Sequence, residues 1–87
     1  MRVDDMFPMT AEMEREHGAG HGGYYKDEGT VSYIAQAEHD GMPCYVVLGC
    51  LDGQWCAEAC DEEHGDLIDA GYGDEPQQAL DNLFSEV

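Results

Sequence analysis

Cys44, Cys50, Cys56 and Cys60 lie close together in the chain and are the first candidates for chemistry. Cysteines at such density bind zinc, pair as disulfides or fill a core. The spacing C-x5-C-x5-C-x3-C lacks the C-x2-C pair from which structural zinc sites are usually built. What else they can do depends on hairpin register. If Asp52-Gly53 is a two-residue turn, position 50 faces 55 and position 46 faces 59. Cys44, Val46, Leu48 and Cys50 then share a face with Trp55, Ala57 and Ala59, while Cys56 and Cys60 point the other way, roughly 13 Å apart. A three-residue turn with Gly53 in a bulge instead sets 44 opposite 60 and admits a Cys44–Cys60 disulfide. The first register gathers more apolar side chains and is the favoured one. The expectation is small buried thiols, with a disulfide within or between chains, or a metal, as alternatives.

The histidines are His17, His21, His39 and His64. His17 and His21 have ligand-like spacing only in a continuous helix, and Gly18 and Gly20 interrupt one. They read as loop histidines, and neither a metal nor a cofactor is expected. Ser32 and Ser85 lack the setting of a nucleophile, and the glycines form no phosphate loop. An EF-hand cannot begin at Cys60. No enzyme is expected.

The other chemistry is charge. CDEEHGDLIDAGYGDE, residues 60–75, carries acids and no lysine or arginine. The whole chain has 20 acids against 3 bases, a formal net charge of -17 over 87 residues. The bases are Arg2, Arg15 and Lys26, so from Asp27 onward there are 15 acids and none to balance them. Direct binding to nucleic acid or to an anionic membrane is disfavoured, and a basic partner is favoured. A solubilising surface explains a few units of charge but poorly explains this many. Adaptation to high salt is a further reading. Presentation of carboxylates in place of phosphates is the reading that gives the acidity a task. Side chains on one strand face repeat about every 6.8 Å, close to the phosphate spacing of a single strand.

These residues need elements to hold them. The length allows one domain with a small core. Residues 1–28 read as an arm: Thr10 caps a short helix over 11–17, Gly18 ends it, and a glycine-rich loop follows. Residues 29–87 read as one β-β-β-(β)-α domain. The alternation in 30–38 puts Val31, Tyr33, Ala35 and Ala37 on one face. HDGMP is a turn, residues 44–51 are the most strand-like run, and QWCAEAC returns from the Asp52-Gly53 turn. DLIDAGY can form a fourth strand. Asp74 is the expected N-cap of a closing helix, with Gln77 completing a capping box and Pro76 in the first turn. Ala79, Leu80, Leu83, Phe84 and Val87 form its apolar stripe. The fold class is α+β: an antiparallel sheet of three to four strands, a C-terminal helix packed on one face, and a short N-terminal helical arm.

CYVVLGCLDGQWCAEAC, the loop and strand after it, and GDEPQQALDNLF resemble the HicB-type antitoxin domain over residues 44–84. That resemblance implies a module that neutralises a small RNA-cleaving toxin, as a dimer or larger assembly. By size and charge the chain also resembles small acidic phage-encoded inhibitors, including anti-CRISPR proteins that mimic nucleic acid. The function expected is a non-enzymatic inhibitor of a basic nucleic-acid-handling protein, with a CRISPR effector subunit favoured and an RNase toxin as the alternative. Glu58, Asp61, Glu62, Glu63, Asp66, Asp69, Asp74 and Glu75 are the expected partner-binding residues. MRVDDMFPM carries acids where a signal peptide would be apolar, and no run approaches the length of a membrane span. The expected place is the bacterial cytoplasm, where cysteines stay reduced.

Overall fold

The computed structural model describes residues 1–13, 27 and 29–85. Two Asp-Gly pairs organise the sheet. Asp40 and Gly41 have φ of 52° and 78°, and Asp52 and Gly53 have φ of 55° and 77°. Two successive left-handed residues make the hairpin turn whose twist matches that of the flanking strands. The Asp40-Gly41 turn joins Tyr33–His39 (β2) to Met42–Leu51 (β3), and the Asp52-Gly53 turn joins β3 to Gln54–Asp61 (β4). The expected HDGMP turn is thus shorter than the sequence suggested, because Met42 and Pro43 already belong to β3. Pro43 is tolerated there because it pairs only with Glu38 of β2, while β4 ends opposite Cys44.

Leu67–Gly73 (β5) follows β4, and Phe7–Pro8 (β1) lies beside the start of β2. The sheet is five-stranded and antiparallel, in the order β1-β2-β3-β4-β5. The fifth strand, β1, is two residues long and too short to show any alternation in sequence. Before it, Val3–Asp5 form a 3-10 turn, and after it Ala11–Met13 (α1) make a helical turn. The hydroxyl of Thr10 accepts from the Met13 amide at 3.2 Å, the cap expected of it. The rest of that expected helix, the glycine-rich loop and Val87 lie outside the described residues.

Helix α2, Pro76–Leu83, crosses one face of the sheet. Ala79, Leu80 and Leu83 bury against Ala35, Cys44, Val46, Leu48, Ala57 and Ala59, with Met6 at the margin. The helix can approach closely because Gly71 lies beneath it. A Cβ at Gly71 would stand 2.5 Å from the Ala79 carbonyl oxygen and closer still to the Leu83 amide. Its N-cap is Glu75, with no side-chain cap bond, rather than Asp74. Pro76 fixes the first helical position and therefore sets the cap one residue before it. Gln78 reaches back to the Asp74 amide at 2.9 Å, so the reciprocal glutamine is Gln78. Gln77 instead holds the N-terminus: its Oε1 accepts from the Val3 amide at 3.0 Å, and its Nε2 donates to the Met1 carbonyl at 2.9 Å. On the opposite face, Met9, Ile34 and Val47 form a second cluster with Met13 and Tyr45 against it.

Candidate partner-binding surface

The hairpin register decides the cysteines first. Cys50 pairs with Trp55 and Val46 with Ala59, so the two-residue turn holds. Cys44 faces Asp61, not Cys60. All four cysteines are unbridged thiols, and Cys44, Cys50 and Cys60 are buried. Burial, reinforced by the Glu58 carboxylate, pushes the Cys56 and Cys60 thiols up to about 11. Burial likewise raises Cys44 and Cys50. Raised thiols of this kind are poor nucleophiles and poor ligands at neutral pH. Among the described residues, no group of three or more histidines, cysteines or acids converges as a metal site.

The meander then sorts the acids by end. Because the strands alternate in direction, the β2–β3 turn and the β4–β5 loop lie at one end. The β3–β4 turn and the start of α2 lie at the other. Asp61, Glu62, Glu63 and Asp66 are at the first end, joined there by Glu38 and Asp40, which composition alone did not single out. Asp74 and Glu75 are at the second end, roughly 20 Å away along the seven residues of β5. The eight expected residues are therefore not one patch.

Their individual settings differ as well. Asp61 is half-buried, and its Oδ1 accepts from the Glu63 amide at 2.6 Å and the His64 amide at 2.8 Å. The Asp61 amide donates to Asp66 O and the Gly65 amide to Asp61 O, both at 2.9 Å. The His64 amide, and then the Glu63 amide, hold the Asp61 carboxyl below the usual range. Asp61 shapes the loop, and Glu62, Glu63 and Asp66 project from it as exposed side chains. A shallow groove beside them is lined by Met42, Pro43, Asp61, Glu62 and Glu63. Glu58 sits half-buried on the face away from α2, 3.7 Å from the Cys56 thiol. Asp69 lies on the helix face, 3.2 Å from His39 Nε2, with its Oδ1 accepting from the Ala70 amide.

Arg2 is the single base among the described residues. No described helix is long and apolar enough to cross a membrane. Compared with protein-family models, with curated proteins and with solved structures, the chain matches none.

Proposed function

We propose that the chain is a non-enzymatic inhibitor of the anti-CRISPR kind. It binds a basic nucleic-acid-binding surface of a partner protein and covers it with carboxylates. The observation that carries this reading is the β4–β5 loop. Asp61 folds it from within, so that three neighbouring acids stand exposed beside Glu38 and Asp40 with no described lysine or arginine paired to them. A surface of one sign on a small rigid hairpin end would steer a basic partner in quickly and release it in salt. Glu62, Glu63 and Asp66 are the contacts proposed, with Asp40 and Glu38 at their flank. Asp61 acts by holding the loop. Asp74 and Glu75 serve a partner only if its surface spans the length of β5.

The test is a tagged pull-down from a lysate carrying a CRISPR effector complex, washed across a salt series. Wild-type protein should capture an effector subunit and lose it steeply as salt rises. Reversal of Glu62, Glu63 and Asp66 to lysine should abolish capture, while reversal of Asp74 and Glu75 should weaken it less. Retained capture by the triple variant would sink the reading. The second reading, a HicB-like antitoxin, is supported by the order hairpin, loop, strand and helix over residues 44–84. It predicts capture of a small RNase toxin instead.

A further inference from the structure

His39 closes β2 beneath the last turn of α2, and its side chain is 10% exposed. Its Nε2 lies 3.2 Å from the Leu83 carbonyl oxygen and 3.2 Å from Asp69 Oδ2. Its Nδ1 lies 3.5 Å from Asp40 Oδ2 and is buried with no hydrogen-bond partner. The Phe84 ring covers it, with centroids 5.8 Å apart. Among the described residues, the polar atoms that lie against the ring nitrogens are acceptors: a carboxylate from the β2–β3 turn, a carboxylate from β5 and a carbonyl from α2. The two carboxylates, Asp40 and Asp69, are the charged groups that the described elements turn toward it.

The neutral ring carries one N–H. Placed on Nε2, that proton satisfies the carbonyl and Asp69, and leaves the Nδ1 lone pair facing the Asp40 carboxylate. Placed on Nδ1, it leaves Nε2 facing two acceptors. The imidazolium donates from both nitrogens, and a cation suits the C-terminal end of a helix. We propose that His39 is a pH-operated latch, whose charged form strengthens the tie of the end of α2 to β2 and β5 by donating from both ring nitrogens and whose neutral form keeps only the weaker Nε2 bond. The inference does not depend on the proposed function.

The sign follows from the geometry. Asp40 and Asp69 are half or more exposed, at 92% and 50%. Histidine is the side chain type that ordinarily changes charge between pH 5 and 8. Docking of the last helical turn is therefore firmer at pH 5.5 than at pH 8.

Two measurements on the full chain test it. Amide hydrogen exchange, corrected for intrinsic rates, should show local opening at Leu83 and Phe84 rising about two- to fivefold from pH 5.5 to 8. Amides of β3 should not follow. Asp40→Asn, which keeps a residue suited to the left-handed turn position, should reduce the rise, and His39→Gln should remove it. A flat wild-type profile, or an unchanged rise in His39→Gln, would overturn the latch. Nitrogen NMR should show that the neutral ring carries its proton on Nε2, the nitrogen that faces the Leu83 carbonyl and Asp69. A neutral ring protonated on Nδ1 would overturn it independently of the variants.

Discussion

Asp27 and Asp61 do similar work at opposite ends of the sheet. Asp27 accepts from the Asp52 and Gly53 amides at 2.8 and 2.9 Å, and its own amide donates to Cys50 O at 2.9 Å. The Gly53 bond, then the Asp52 bond, hold its carboxyl below the ordinary value, as the loop amides do for Asp61. A folded-state value below the unfolded one means stability that is complete above about pH 5 and lost as pH falls through the folded value. Asp27→Asn should therefore lower the urea midpoint at pH 7. The gap from wild type should narrow as pH falls below the ordinary aspartate range, since a protonated carboxyl resembles the amide. A gap that persists in acid would show that the turn is held by something other than the charge. The thiols give a second prediction. With the Cys56 thiol raised from 9.0 to about 11, its thiolate fraction at neutral pH is lower by roughly 100-fold. Disulfide-reagent kinetics at pH 7.5 on native protein should be slower than on urea-unfolded protein by at least about tenfold. Rates alike in both states would remove the case for inert thiols. The cysteine register was legible in sequence because Asp-Gly is a strong turn signal and one register gathers the apolar residues. In sequence His39 reads as the start of the HDGMP turn, whereas it ends β2, where the alternation Tyr33, Ala35, Ala37, carried one step further, puts it on the core face.

The helix-on-sheet contact rests on two positions without side chains. At Gly71 the obstruction to a Cβ is helix backbone, and at Gly73 it is mainly the Gln78 side chain at 2.8 Å with the Ala79 amide at 3.0 Å. Backbone cannot swing aside, whereas a glutamine can rotate. Gly71→Ala should cost about 1–3 kcal/mol, measured by urea unfolding, and Gly73→Ala should cost less. Equal costs would mean that α2 shifts as a body to accept either. Leu83→Ala, which empties the core beneath the same turn, should cost about 2–5 kcal/mol. The antiparallel hairpins of β2 to β4 were legible because β2 alternates, β3 is a β-prone apolar run and each of the two turns carries Asp-Gly. Phe7–Pro8 was not, since two residues carry no period. The cap of α2 was misplaced by one residue because Asp74 is the better capping type, and the proline after Glu75 outweighed that preference.

At the scale of the whole molecule, the sequence states the sum of the charge but not its arrangement, because neighbours across a sheet are distant along the chain. The chain folds to extents of 33 × 27 × 22 Å. The Debye length falls from about 20 Å at 20 mM salt to about 4 Å at 500 mM. At low salt the two acidic ends therefore repel each other and themselves across the molecule, and at high salt only adjacent acids interact. Raising salt over that range should raise the melting temperature of the free protein by about 5 °C or more. Lysines at positions 62, 63 and 66 would each change the charge by two, taking -17 to -11. All three native side chains are exposed, so no packing is lost. The triple variant should melt above wild type at 20 mM salt, and the difference should shrink to nothing at 500 mM. That result would mean the native loop is kept at a cost to stability, as expected of a surface retained for a partner. A variant that melts below wild type at low salt would mean that the acids already have favourable partners in the fold, and the loop could not then be offered freely to a basic surface.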